Sequence, residues 1–245
     1  MSRAWKSWME LGAPHQIVEW LMDGVPLPIS QATKQSSEMS LHLEELLAMG
    51  AYTMVTGATV TSPMFLLSKK DGTMRGIHDL RAVNRYLPKA RFSLRGIRDS
   101  IRLIRECNWG ATLDLKKGYY QVLMHPDARQ YLGAEVGETI MVANVLPFGL
   151  SIAPHVFQTL TAFVGRLIRQ LAGVQVVVYL DDFLLGAGTK QKLGQAIGII
   201  MKLFKKLGMV VSPKCSLTPS QTLTFPGLEW ERRRRRCTGR ISRRY

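Results

Sequence analysis

Three aspartates interrupt apolar sequence. Asp181 and Asp182 stand side by side within VQVVVYLDDFLLGAG (residues 174–188), and Asp114 sits between Leu113 and Leu115 in TLDL. Each stretch reads as a buried strand, where an uncompensated carboxylate is costly. A hairpin with Leu180, Asp181 and Asp182 at or near its turn gives the acids an exit from the core. Taken alone, that run fits an ordinary Asp-containing turn. Asp114 adds a second possibility. If its strand lies beside that of Asp181, three acids converge, and two like charges about 4 Å apart repel by roughly 4 kcal/mol at an effective dielectric near 20. Protonation or a bound cation relieves that repulsion. An all-oxygen ligand set selects a hard ion, Mg²⁺ first among them. Two such ions about 3.5–4 Å apart activate an attacking hydroxyl and stabilise a leaving pyrophosphate.

Such chemistry also needs cations for the rest of a triphosphate. SPMFLLSKKDGTMRGIHDL (residues 62–80) supplies Lys69, Lys70 and Arg75 around Asp71-Gly72, a strong hairpin signal. Two readings stand: a solubilising hairpin tip, or a clamp over a polyphosphate.

The elements that must hold these groups follow from periodicity. SEMSLHLEELLAM (37–49) reads as a short helix capped by Ser37 or Ser40, with Leu43, Leu46 and Leu47 inward. A second helix carries Ile97, Ile101 and Ile104 on one face and Arg95, Arg98, Arg102 and Arg105 on another. That Arg stripe is either a solvated face or a contact for a nucleic-acid backbone. ATLDLKKGYYQVLM predicts a strand, a tight connection at Gly118 and a second extended piece. Pro154 opens a long helix whose apolar stripe is Val156, Phe157, Leu160, Val164, Leu167, Ile168 and Leu171, ending at Gly173. Another helix covers about 190–207, with Leu193, Ile197, Ile200, Phe204 and Leu207 inward. MVVSPKC and TFPGLEW read as short extended pieces. Mixed helices, strands and hairpins indicate an α+β fold.

Composition sets the outer bounds. The chain has 245 residues, 46% of them hydrophobic, enough for one large domain or two small lobes. Lys and Arg number 33 against 18 acids, giving +15. Residues 231–245 alone hold eight Arg, so the excess belongs partly to a tail and partly to the body. A basic body points to a polyanion such as nucleic acid, or is simply a soluble basic protein. Cys107, Cys215 and Cys237 match no zinc or disulfide spacing. The sequence shows no membrane-length apolar run and no secretion signal, so an intracellular, membrane-free setting is expected, with cytoplasm and nucleus undistinguished.

At this point the motifs resemble a known family. KKDGTMRGIHDLRAVN, LDLKKGYYQV, LPFGLSIAP, YLDD, LGMVVSPKC and FPGLEW occur in the order found in the reverse transcriptase domain of retroelements. HPDARQYL, LPFGLSIAP and the Trp-rich lead WKSWMELGAPHQIVEWLMDGV resemble DIRS-type tyrosine-recombinase retrotransposons most, gypsy-type elements next. The resemblance implies an α+β fold of fingers and palm, the palm an antiparallel sheet backed by helices. Residues 1–36 are then an N-terminal extension, and 37–230 the reverse transcriptase domain. Within it, fingers take about 37–88 and 122–148, and palm about 89–121 and 149–230. Residues 231–245 form an Arg-rich tail without order.

The resemblance also assigns residues. Asp114, Asp181 and Asp182 match the catalytic, metal-binding triad, with the Leu115 carbonyl as an extra ligand and Asp182 the least direct. Lys69 or Lys70, and Arg75, match triphosphate contacts. Tyr119 matches the aromatic residue under the sugar, which disfavours a 2′-hydroxyl. Phe148 and Gly149 match the loop facing the new base pair, and Lys214 a lysine near the triphosphate. Phe225, Gly227, Leu228 and Trp230 match the primer grip. The implied cofactor is a pair of Mg²⁺ ions, with Mn²⁺ as substitute. The implied partners are an RNA or DNA template–primer and deoxynucleoside triphosphates; oligomeric state is left open. Two other readings remain: a truncated, non-catalytic nucleic-acid-binding remnant of such an element, and an RNA-dependent RNA polymerase, against which Tyr119 argues.

Overall fold

A computed structural model of the chain describes residues 4–25, 41–68, 74–89, 94, 97–136, 139–213, 215–225, 228–231 and 236–238. Lys69, Lys70, Arg95, Lys214, Gly227, Ser37 and Ser40 lie outside them. The chain divides into two compact units, Met1–Arg91 with Tyr119–Val156, and Phe92–Gly118 with Phe157–Tyr245. In chain order the elements are α1 (Trp5–Glu10), α2 (His15–Met22), α3 (Leu41–Ala48), β1 (Tyr52–Val55), β2 (Thr61–Ser62), β3 (Met64–Ser68), β4 (Met74–His78) and α4 (Arg81–Asn84). They continue with α5 (Ile97–Glu106), β5 (Trp109–Asp114), a 3₁₀ turn (Gly118–Gln121), α6 (Pro126–Arg129), β6 (Gly133–Val136), β7 (Thr139–Ala143) and α7 (Ala153–Ala172). The last are β8 (Gln175–Tyr179), β9 (Asp182–Ala187), α8 (Lys190–Lys206), β10 (Ser216–Ser220), β11 (Thr222–Phe225), β12 (Leu228–Glu231) and β13 (Arg236–Thr238). The fold is α+β.

The first unit is built on a sheet of order β1-β7-β6-β2 and the β3–β4 hairpin. The N-terminal residues belong to it. Trp8, Ile17 and Leu21 are buried, and Val25 exchanges backbone bonds with Leu123 and His125 at 2.9 and 3.0 Å. His78 anchors the hairpin. Its Nε2 lies 3.0 Å from the Gly133 carbonyl, an acceptor only, so Nε2 carries the proton and Nδ1 accepts from the Tyr52 hydroxyl at 3.3 Å. Burial drives the His78 pKa down to about 4. The unfolded imidazole titrates near 6.5, so between the two values the unfolded chain binds more protons. Stability is then full above about pH 6.5 and falls as pH drops toward 4, a loss of roughly 3 kcal/mol. Denaturant unfolding across that range reads the slope, which His78→Gln removes.

The second unit centres on a four-stranded antiparallel sheet, order β10-β5-β9-β8, with the β11-β12-β13 sheet beside it. Alternation sorts the sheet's faces. Val176, Val178, Phe183 and Leu185 share one face, against which α7 brings Gly165 up to Val178 and α8 sets Phe204 edge-on to Phe183, centroids 5.4 Å apart. Val177 and Leu184 point the other way, into a cluster with Leu103, Ile104 and Cys107 at the α5 side and Phe225 of β11. With both faces covered, β8 and β9 read as near-continuous apolar sequence instead of an alternating pattern.

Three expectations are corrected. Tyr119–Gln121 belong to a 3₁₀ turn, not a second extended segment. Leu171, assigned to the apolar stripe of α7, is 49% exposed, while Val156, Phe157, Leu160, Val164, Leu167 and Ile168 are buried. The tail holds regular structure: β13 pairs with β12 through Glu229↔Thr238, Trp230↔Cys237 and Glu231↔Arg236.

Candidate active site

The acids meet at one end of the central strand pair. β5 and β9 run antiparallel with Asp114 directly opposite Asp182. The Leu115 N–H turns toward β9 and donates to the Asp181 carbonyl at 3.0 Å, so the N–H of Asp114 faces the other edge. Asp114 and Asp182 are therefore a non-hydrogen-bonded pair, the closer kind, with Cα atoms about 4.5 Å apart and side chains on one face. Both are half-buried. Asp181 occupies the two-residue turn with Leu180 between β8 and β9.

Strain is concentrated here. Among the described residues, Lys117 (φ 49°) and Leu180 (φ 53°) are the two non-glycine positions with positive φ. One follows Asp114 by three residues and the other precedes Asp181. A left-handed non-glycine residue costs about 1–2 kcal/mol and persists only where its surroundings impose it. Around Leu180 the imposing group is Gln158 of α7. Its Oε1 accepts the buried Leu180 N–H at 2.8 Å, and its Nε2 donates to the Val178 carbonyl at 3.4 Å. Gly118 closes the other side: a Cβ there would fall 2.7 Å from the Phe157 ring and 3.2 Å from the Asp181 Cβ. Gln158→Met keeps the volume and strands the Leu180 donor. It is expected to lower stability by about 1–3 kcal/mol, read by urea unfolding.

The other edge of Asp114 is held by the segment leading into β10. The Ser212 N–H donates to the Asp114 carbonyl at 2.7 Å, and the Asp114 N–H donates to Cys215 Sγ at 3.1 Å. Burial holds the Cys215 pKa above the usual thiol value.

Among the described residues, no three His, Cys, Asp or Glu side chains form a ready metal cage. The expected three-way convergence is here a facing pair, Asp114 and Asp182, with Asp181 on the adjoining turn. The donor chemistry still suits a hard cation: carboxylates and a backbone carbonyl, all oxygen. Mg²⁺ characteristically takes one or two carboxylates and completes its shell with water and substrate phosphate, so a partial protein set fits it.

The remaining expected residues sort as follows. In the first unit, Tyr119 is buried and stacks on Phe148, centroids 4.9 Å apart at 29°, while Tyr120 meets Phe148 edge-on at 5.5 Å. Phe148 is half-buried and Gly149 exposed. Gly149 has φ +107° and packs its Cα against the His78 carbonyl, leaving no room for a side chain. Asn84, which sequence reasoning missed, clasps this loop: its Nδ2 donates to the Gly149 carbonyl and its Oδ1 accepts from the Ser151 N–H, both at 2.8 Å. Arg75 stands on β4 opposite Leu67. In the second unit, the Phe225 side chain is committed to the core, and Leu228 and Trp230 lie on β12 opposite Phe225 and Leu223. Among the described residues, no helix is long and apolar enough to cross a membrane.

Comparison with known proteins places this arrangement. Residues 67–230 match the family described as Reverse transcriptase (RNA-dependent DNA polymerase). The Transposon Tf2-7 polyprotein of Schizosaccharomyces pombe is 24% identical over 160 residues, which is 65% of this chain and 12% of that protein. Polyprotein P3 of Commelina yellow mottle virus is 27% identical over 147 residues, 59% of this chain and 8% of its own length. The chain thus spans a small fraction of these relatives. A foamy viral protease-reverse transcriptase solved in complex with double-stranded DNA superposes with a TM-score of 0.72 at 18% identity, covering 93% of this chain and 45% of that one. A foamy viral protease-reverse transcriptase in complex with an RNA/DNA hybrid gives 0.70 at 19% identity, covering 93% of this chain and 34% of that one. Motif order, antiparallel sheet and facing acids agree with the match over residues 67–230: the chain belongs to the reverse transcriptase family of retroelements and viruses.

Proposed function

We propose that this chain catalyses template-directed transfer of deoxynucleotides, the attack of a primer 3′-hydroxyl on the α-phosphate of a deoxynucleoside triphosphate with release of pyrophosphate. The observation that carries the proposal is the Asp114–Asp182 pair beside the Asp181 turn in a reverse transcriptase domain. Asp114, Asp181 and Asp182, with the Leu115 carbonyl, are the groups to hold two Mg²⁺ or Mn²⁺ ions. When bound, such ions lower the pKa of the attacking hydroxyl and neutralise the charge that develops on the leaving pyrophosphate. The chain's own groups do the rest. The Gln158-held turn and the Asp114 backbone clasp fix the carboxylates in place. Lys69 or Lys70, Arg75 and Lys214 are assigned to the triphosphate, Tyr119 to the sugar, and Phe148 with Gly149 to the new base pair. Phe225, Gly227, Leu228 and Trp230 are assigned to the primer grip, with Phe225 acting as its core anchor.

In this reading fingers take about 37–88 and 122–148, within the first unit, palm takes about 89–121 and 149–230, most of it in the second, and the setting is intracellular. The motifs HPDARQYL and LPFGLSIAP support a DIRS-type origin within the family. The foamy viral complexes with double-stranded DNA and RNA/DNA hybrid support a template–primer as partner. The test is extension of a DNA primer on an RNA template with Mg²⁺ or Mn²⁺, comparing deoxynucleotides with ribonucleotides. Deoxynucleotide incorporation is expected. Preferred ribonucleotide incorporation would move the chain to the RNA polymerases.

The Arg-rich segment favours a second reading, a nucleic-acid-binding remnant without catalysis. In that case nucleic-acid binding survives Asp181→Asn, collapses on deletion of residues 232–244, and no nucleotide is incorporated.

A further inference from the structure

The edge of β5 opposite β9 is irregular where it matters most. Pairing with β10, itself shifted in register between Ser220 and Ser216, reaches Thr112↔Ser216, and contact resumes at the isolated bridge Leu115↔Val211. Between those points β5 spends two residues, Leu113 and Asp114, while the facing segment spends four, from Ser212 to Cys215. A mismatch of this kind interrupts the ladder, and backbone groups on the straight strand must find other partners. Ser212 serves the Asp114 carbonyl through its N–H at 2.7 Å. The Asp114 N–H turns to a side chain, donating to Cys215 Sγ at 3.1 Å, and the thiol donates back to the Asp114 carbonyl at 3.4 Å. These contacts join residues 101 positions apart. A thiol thus stands in for the missing ladder rung at the residue whose side chain faces Asp182.

We propose that Cys215 is a positioning residue for the polymerase site, its thiol fixing the backbone of Asp114 and thereby the aim of the Asp114 carboxylate. The role rests on the reading of Asp114 as a site acid. Cys215 does not touch substrate; it acts through Asp114. A strand end held on both edges keeps its carboxylate within the few tenths of an ångström that phosphoryl transfer requires. With its N–H released and only the Ser212 bond left on that edge, Asp114 lets its carboxylate sample positions that bind substrate and miss the reacting geometry. The effect therefore falls on turnover and spares nucleotide affinity.

The experiment uses the full chain with Cys215→Ala and Cys215→Ser; Cys215→Val fills the space without a strong partner and replaces the alanine variant should that one not fold. Two quantities are read. Amide hydrogen exchange at Asp114 is expected to quicken about tenfold or more in the alanine variant, with Ser holding it near wild type because its hydroxyl restores both a donor and an acceptor. In primed-template extension, kcat is expected to fall about tenfold with KM for the deoxynucleotide little changed, and Ser recovers most of it. Wild-type exchange at Asp114 in the alanine or valine variant overturns the proposal. So does serine behaving as badly as alanine, or an unchanged kcat in a variant whose Asp114 amide has been freed. Because exchange is measured without substrate, a wild-type chain that incorporates nothing sinks the polymerase reading alone, and the exchange result still decides what Cys215 holds.

Discussion

Asp181→Asn is expected to abolish primer extension, lowering the rate about a thousandfold or more, equivalent to about 4 kcal/mol of lost transition-state stabilisation. The substitution is nearly isosteric. The turn it occupies is fixed by backbone: the Asp181 carbonyl accepts from Leu115, and Leu180 is held by Gln158. Both bonds are made by backbone groups of the turn and survive the substitution, so the fold should persist. What is lost is one negative charge beside the Asp114–Asp182 pair. An amide oxygen binds a hard divalent cation far less well than a carboxylate does. Removing one of three adjacent like charges also relieves repulsion, so a slight gain in stability alongside lost turnover would mark the residue as retained for chemistry. A steady-state extension assay paired with a melting curve checks both arms. Equal activity in the variant would remove Asp181 from the site.

The parts of this design that were legible in sequence are those with a period or a composition. Val156, Phe157, Leu160, Val164, Leu167 and Ile168 recur at helical spacing because one face of α7 must be buried, and they are. Leu171 fits the same spacing yet is exposed, because it lies in the last turn before Gly173, at the end of the helix. The acids announced themselves by interrupting apolar strands. Their pairing did not, because register is set by partners remote in the chain: only the β5–β9 ladder says that Asp182 faces Asp114, where the family resemblance ranked Asp182 the least direct ligand. YYQV imitates a strand, and nothing in its composition shows that Lys117 at positive φ and Gly118 against Phe157 reverse the chain there. Least visible of all were the side-chain-to-backbone bonds of Gln158, Asn84 and Cys215. Each is one side chain making a pair of contacts across 20–22, 65–67 or 101 residues, with no repeat to betray it.

Phe183→Ala is expected to be the most damaging core substitution, costing about 3–5 kcal/mol, a large part of the stability of a typical domain. Phe183 follows Asp182 directly and is fully buried. It pairs with Leu113 across the β5–β9 ladder and with Val178 across the hairpin, and its ring meets Phe204 of α8 edge-on. Truncation therefore opens a cavity at the point where three strands and a helix meet, one residue from the acids. The alternation of strand side chains makes the two faces separable: Phe183 fixes the helix-facing side, and Asp182 projects from the other. Phe183→Leu keeps most of the volume and should cost about 1–2 kcal/mol, with Asp114 and Asp182 still in register. Chemical denaturation of both variants, with the midpoint compared at constant slope, measures the difference. An alanine variant as stable as wild type would mean that β9 is not packed as the central strand of the second unit, and the register that sets Asp182 opposite Asp114 would lose its support.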